Sequence, residues 1–288
     1  FVITPGLLIR NNQAGLQQGM NPMTDVSETR FSLLNFGAVF SIEPDRYSKW
    51  KRFNFAIGYN NLKNFAREIN VRGTTTGSIA NRWVELSDGL PLSQLDAFEA
   101  GPAYDAFVTF KDENENIYGS DVDPAEPIFK DQRITEEGSI NEMNISLGGN
   151  YNEKLMWGVN FGIPFMQFER RSEYLENSQT NPIFNNLLFN EFLDASGVGF
   201  NFKAGIIVKP IPSFSIAASM HTPTWYSITE NFNTDVVYDY IFDPNLFPEE
   251  GPQTALSPQG SFDYNITTPW RFTGGMGWII KRSGFVSA

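Results

Sequence analysis

Apolar and polar residues alternate with a period of two along several stretches of the chain, the spacing at which successive side chains leave opposite faces of a β-strand. Trp157, Val159, Phe161 and Ile163 share one face, and Met156, Gly158, Asn160 and Gly162 the other. Val198, Phe200, Phe202, Ala204, Ile206 and Val208 oppose Gly199, Asn201, Lys203, Gly205, Ile207 and Lys209. The same rhythm runs through 34–42, 53–60, 214–221 and 270–279. These segments span roughly 9–13 residues, against about 5–6 for a strand in a soluble domain, and a tilted strand of that length crosses a bilayer. The alternation predicts about eight such strands. The start of a ninth is expected at Gly284–Ala288.

The connections alternate in length. Short turns are expected near Glu43–Trp50, Asn152–Lys154, Lys209–Ser213 and Lys281–Gly284. Long polar loops are expected over Asn11–Arg30, Lys63–Gly138, Arg171–Ser196 and Asn231–Ser261. Bacterial outer-membrane barrels sort their connections in this way, with short turns on the periplasmic side and long loops outside. Two loop segments read as helices. Over Ile183–Leu193, Phe184, Leu187, Leu188 and Phe192 fall near one stripe, behind an Asn181-Pro182 start signal. Leu92–Ala100 is the second.

Composition then selects among β-folds. Phe occurs 26 times and aromatics make up 15%, yet mean hydropathy is -0.28 and charged residues are only 19%. No apolar run approaches the ~18 residues of a membrane helix. A barrel strand needs apolar residues only at alternate positions, so its mean hydropathy stays low. The expected fold is therefore all-β: an antiparallel transmembrane β-barrel of a Gram-negative outer membrane. It forms one domain over residues 1–288, with short helices in long extracellular loops. Trp50, Trp157, Trp270, Trp278, Tyr59 and Tyr226 fall at or near strand ends, where an interfacial girdle belongs; amphipathic rings also fill the cores of soluble β-proteins.

Cysteine is absent, which removes disulfide scaffolds, thiolate zinc sites and cysteine nucleophiles. A net charge of -12 leaves no basic footprint for nucleic acid and suits long solvated loops. The chain shows no secretory signal and opens at Phe1 inside a strand pattern, so it reads as a fragment lacking both ends.

Candidate chemistry is sparse. The one histidine, His221, falls on the face of Ser215, Ala217 and Ser219. Imidazole serves as a general base or a haem ligand, or simply as a polar lumen residue. A Ser-His-Asp triad has no other histidine to use, so neither enzymatic activity nor a cofactor is expected. Asp112–Asn116 and Asp121–Asp123 lack the spacing of a calcium loop, and no metal site is expected. The lumen face is expected to carry Asn160, Asn201, Lys203, His221 and Arg271 among glycines 58, 158, 162, 199, 205, 275 and 277. It has few of the charges that line an ion-conducting pore, and its glycines leave room for a plug or a bulky ligand. Pro164 and Pro223 interrupt strands, and since proline cannot donate to the ladder each marks a kink in the wall or a strand end. The loops are unusually apolar at Trp83 and Leu86, and again at Phe184, Leu187, Leu188 and Phe192. Two readings stand: a hydrophobic substrate-collecting site, or side chains that pack on one another to cap the barrel.

The block Gly197-Val198-Gly199-Phe200-Asn201-Phe202-Lys203-Ala204-Gly205-Ile206-Ile207-Val208-Lys209-Pro210, followed by Phe214–Thr224 with its Met220-His221-Thr222-Pro223-Thr224 end, resembles the outer-membrane long-chain fatty acid transporter (FadL) family. Thr268-Pro269-Trp270-Arg271-Phe272-Thr273-Gly274 is similar to a later strand of that family, and Phe53–Asn60 is compatible with it. The resemblance covers Gly197–Ala288 well and the rest loosely. It implies a barrel of fourteen strands with an N-terminal plug, and hydrophobic substrates that leave laterally through the wall; read as a fragment, this chain is expected to lack the plug and the further C-terminal strands. Some relatives are labelled haemin receptors, to which a solitary His221 lends little support. The expected function is passive uptake of small hydrophobic molecules, fatty-acid-like or aromatic. The partners would be membrane lipids, lipopolysaccharide and the substrate, and not nucleic acid. The alternative is a non-transporting barrel that anchors protein partners in an envelope or secretion assembly. A membrane-embedded hydrolase is a third reading, and it needs a histidine that this chain lacks.

Overall fold

The alternating segments become long antiparallel strands in a computed structural model that describes residues 1–16, 23–112, 116–178, 180–247, 250–280 and 284–288. In chain order the first elements are β1 (Val2–Ala14), β2 (Thr24–Ile42), β3 (Trp50–Asn64), β4 (Arg67–Thr76), α1 (Ile79–Ser87), a 3-10 turn (Leu92–Gln94) and α2 (Ala100–Asp105). Then come β5 (Thr109–Lys111), β6 (Tyr118–Ser120), β7 (Pro127–Tyr151), β8 (Leu155–Asn177), β9 (Phe184–Ile211) and β10 (Phe214–His221). The last are β11 (Trp225–Tyr240), β12 (Gln253–Leu256), β13 (Gly260–Thr267), β14 (Arg271–Ile280) and β15 (Gly284–Ser287).

One sheet dominates, in the order β1-β2-β3-β7-β8-β9-β10-β14-β15. Three of its columns are interrupted: β3 is succeeded on β7 by β4, β10 on β9 by β11, and β14 is preceded by β13, which lies on β11. Among the described residues the sheet thus has eight full columns and a short ninth, as the alternation predicts. Among the described residues β1 and β15 are not paired with each other, so the sheet is open.

Register fixes the two faces. One row runs Ala38, Ile57, Ile145, Phe161, Phe202, and the next Phe40, Phe55, Leu147, Val159, Ala204, Met220, Phe272. The large side chains of this outer face are exposed: Ile57 by 50%, Phe161 by 45%, Phe272 by 73%. The opposite, inner face carries Gly37, Gly58, Asn144, Gly162 and Asn201 in one row and Ser41, Asn54, Gly148, Gly158, Gly205, Ser219 and Thr273 in another. Near the short turns Trp50 packs on Phe53 and Tyr151, at 4.8 and 5.1 Å between rings.

Beyond the apolar face the strands run on, where loops were expected. β1 and β2 cover much of Asn11–Arg30, and β7, β8 and β9 reach 25, 23 and 28 residues. In these extensions charged and polar residues occupy both faces, so the period-two signal fades. The helix expected over Ile183–Leu193 is the start of β9. Asn181 Oδ1 accepts from the amides of Ile183 and Phe184 at 2.9 and 2.8 Å, so the start signal makes a tight turn into a strand. Leu187 and Phe189 point inward and Leu188 outward, which supplies the apolar run that reads as a helical stripe. Leu92–Ala100 is likewise not a helix. The 3-10 turn ends at Gln94, and Asp96 Oδ1 binds the amides of Phe98 and Glu99 before α2 begins. Of the expected short turns, Lys281–Gly284 falls largely outside the described residues, as does the middle of Asp112–Asn116.

Residues 77–112 and 116–126 form a cap over the inner face of the upper ends of β8, β9 and β11. α1 starts at Ser78, whose hydroxyl accepts from the Ala80 amide while Asn81 reaches back to the Ser78 amide. It buries Ala80, Trp83 and Ser87, one stripe at helical spacing. Trp83 meets Phe189 edge-on at 5.3 Å, and Phe184 stacks on Tyr238 at 5.9 Å within the same core. Glu176 of β8, fully buried, joins cap to sheet: it accepts from the Ser78 hydroxyl, from Ile79 N at 2.9 Å and from the Tyr174 hydroxyl at 2.6 Å, with Lys130 at 3.7 Å. A carboxylate at a helix N-terminus satisfies its free amides and opposes its dipole.

Candidate functional site

The inner face becomes a site where three strand columns lose their regular pairing. Within β8, Gly162 pairs with Asn201 and Phe165 with Val198, and no pairs lie between, because Pro164 has no amide to give. Thr222-Pro223-Thr224 separates β10 from β11, and Thr268-Pro269-Trp270 separates β13 from β14. Pro164 lies inside β8 and Pro223 between β10 and β11, so neither stands at an outer end of its column. Threonines replace part of the ladder: Thr222 Oγ1 accepts from Phe202 N at 2.9 Å, and Thr268 Oγ1 from Thr224 N at 2.8 Å.

A buried polar bridge crosses this level. Glu142 of β7, 1% exposed, pairs with Lys203 of β9 and accepts from Asn201 Nδ2 at 3.1 Å. Asn201 also donates to Thr224 Oγ1 at 3.3 Å. Gly162 lies between the partners. A Cβ there would sit 2.7 Å from Asn201 Oδ1 and 2.9 Å from the Glu142 carboxyl carbon, so the absent side chain is what lets β7 reach β9 across β8.

All five residues expected on the lumen face gather here. Asn160, Lys203, His221 and Arg271 form one row across four strands, and Asn201 lies in the next. The four residues of that row, with Gly158, Gly205 and Ser219, line a cleft of about 510 Å³. His221 stands between Lys203 and Arg271, with its buried Nε2 unpartnered among the described residues, and nothing there forms a triad. Asn201 Oδ1, Asn160 Oδ1 and Asn144 Nδ2 are also buried without partners. The arrangement suits holding polar groups in a narrow space rather than activating a nucleophile. Glu142 escaped the sequence reading; its signal was an acidic residue on the glycine-and-asparagine face of the strand ending at Tyr151.

The loop residues divide. Trp83, Phe184 and Leu187 are fully buried in the cap core, so they pack on one another. Leu188 and Phe192 are half-buried, and Leu86 is exposed. A second cleft, of about 440 Å³, opens beside that core between the end of α2, β5, Ile183 and residues 245–247. Asp121 lines it and accepts from the Tyr238 hydroxyl at 3.1 Å. Burial raises the Asp121 carboxyl above its ordinary range against the opposing hydrogen bond, and burial beside Asp121 pushes the Tyr238 phenol up as well. Because the folded carboxyl binds its proton more tightly than the unfolded one, its contribution to stability is full below the unfolded value and is lost as pH rises through the folded value. Asp121→Asn is therefore expected to raise the melting temperature of the cap at pH 7, with the advantage disappearing near pH 3. An advantage that grew on acidification would contradict the assignment.

Among the described residues no cluster of three acidic or histidine side chains could hold a metal ion. Neither helix is long and apolar enough to cross a membrane, which says nothing of strands. No family model, curated protein or solved structure matches the chain.

Proposed function

We propose that this chain forms part of a β-barrel in a bacterial outer membrane and lets small hydrophobic molecules cross passively. The observation that carries the reading is the continuous, exposed apolar face, backed at the same level by glycine and small polar residues. Large apolar side chains standing in water across eight strands would cost far more than a soluble domain tolerates, whereas lipid is their natural solvent. The dimensions agree. Ten steps along β9 from Val198 to Val208 span about 33 Å, or roughly 25 Å once tilted near 40°, the height of a barrel's apolar band. The partners at this face are membrane lipids and lipopolysaccharide.

The inner trough supports the transport half of the proposal. Gly158 and Gly205 pair directly and give it a floor without side chains. The kinks at Pro164 and Pro223 supply the lateral way out that the resemblance to the FadL family implies, with the Glu142–Asn201–Lys203 bridge closing it. Expression in a Gram-negative host is expected to raise the initial uptake of a labelled hydrophobic probe several-fold. Gly158→Trp with Gly205→Trp should return uptake to the vector level while the protein stays in the membrane. Uptake indifferent to both the protein and the two tryptophans would reject the proposal.

A further inference from the structure

The cleft beside the cap core is more elaborate than a gap between loops. α2 ends in a Schellman turn: Phe107 N donates to Tyr104 O and Val108 N to Ala103 O, at 3.0 and 2.9 Å. The residue at its left-handed position is Phe107, with φ 64, where glycine is the unstrained choice. Strain retained at a wall of a cleft points to a use for the side chain. The Phe107 ring lines the space together with Tyr104, Phe110 and Phe247, and the volume is that of a one- or two-ring molecule.

The polar groups narrow the ligand further. Asp121 gives Oδ2 to Tyr238 and has no partner on its other oxygen among the described residues. Lys111 lines the same cleft, and no ion pair joins it to Asp121. Thr109, almost fully buried, adds a hydroxyl without a partner among the described residues. We infer that this cleft binds neutral hydroxylated aromatic compounds, phenol- or naphthol-like, on their way into the conduit; the inference deepens the uptake reading and rests on it. A hydroxyl both donates and accepts, so it can donate to Asp121 while accepting from Lys111. A carboxylate head would face Asp121 where charge is poorly solvated, and an ammonium head would face Lys111. The rings supply the rest of the contact through their faces and edges.

The test is calorimetric titration of the protein in lipid nanodiscs with 1-naphthol, 1-naphthoate and 1-naphthylmethylamine, each corrected for uptake by empty nanodiscs. One saturable site is expected for 1-naphthol, at least about tenfold tighter than for either charged analogue. Asp121→Leu and Phe107→Gly should each weaken naphthol binding about tenfold. Glycine relieves the left-handed strain at position 107 but also removes packing against the cap core, so the thermal transition of each variant is recorded alongside, and weaker binding with an unchanged transition is the expected result. Naphthoate binding as tight as naphthol, or full affinity in both variants, would overturn the inference. Uptake that persists without regard to Asp121 and Phe107 removes this site alone. Naphthol binding that follows both residues in a protein that takes up nothing removes the conduit alone.

Discussion

Ile57→Arg is expected to destabilise the protein in a bilayer by about 2–4 kcal/mol if its exposed apolar face meets lipid as proposed, the cost of a guanidinium near mid-bilayer. Ala56→Arg, one residue away, should cost no more than about 1 kcal/mol, because a side chain on the inner face keeps access to water. The contrast follows from register. Ile57 lies between Ala38 and Ile145 in the exposed apolar row, and Ala56 between Val39 and Ser146 on the other face. Reversible urea unfolding from lipid vesicles measures both, and the expected gap of about 1–4 kcal/mol corresponds to roughly a five- to several-hundredfold difference in folding equilibrium. A soluble sheet would give the opposite ranking, since arginine at an exposed isoleucine would cost nothing and improve solubility. That result would end the membrane reading.

Glu176→Ala should release the cap. Removing the carboxylate strands the Ser78 hydroxyl, the Ile79 amide and the Tyr174 hydroxyl and leaves Lys130 beside an empty site. Breaking a buried pair of this kind costs about 3–5 kcal/mol. Glu176→Gln, which keeps an acceptor, should cost less. The loss is local, so hydrogen exchange of amides in α1, β5 and β6 should accelerate by about a hundredfold or more while those of β8 and β9 within the apolar band hold their protection. Uniform acceleration along the chain, or none, would show that Glu176 does not fasten the cap.

The sheet was legible in the sequence where its two faces meet different surroundings. Between Trp157 and Ile163, or Val198 and Val208, outward residues are apolar and inward ones small or polar, so the period of two is written in plain contrast. Above that level the contrast vanishes. Glu169 and Arg171 of β8 form an outward ion pair, while Tyr174 and Glu176 point into the cap, so a regular strand looks like a polar loop. Phe184, Leu187 and Leu188 misled for the converse reason: cap and sheet bury one face and half-bury the other, and a run apolar on both sides mimics a helix. α1 carried a readable start in Ser78 and Asn81 and a stripe in Ala80 and Trp83 that its short length obscured. That Asn160, Asn201, Lys203, His221 and Arg271 share the inner face was recoverable because each followed from strand parity. The Glu142 bridge was not, since it joins a glutamate and a lysine two columns apart over a glycine of the strand between them, and no local pattern connects the three.

The interrupted columns change what holds the sheet together. Main-chain hydrogen bonds form whatever the side chains are, so most of this wall keeps its cohesion under substitution. At Thr222, Thr224 and Thr268 that duty is shared with hydroxyl groups, and at Gly162 it depends on a vacancy that a single methyl would fill. Cohesion at this one height is therefore encoded residue by residue, and evolution can tune how readily the wall parts there by single exchanges that leave every strand in register.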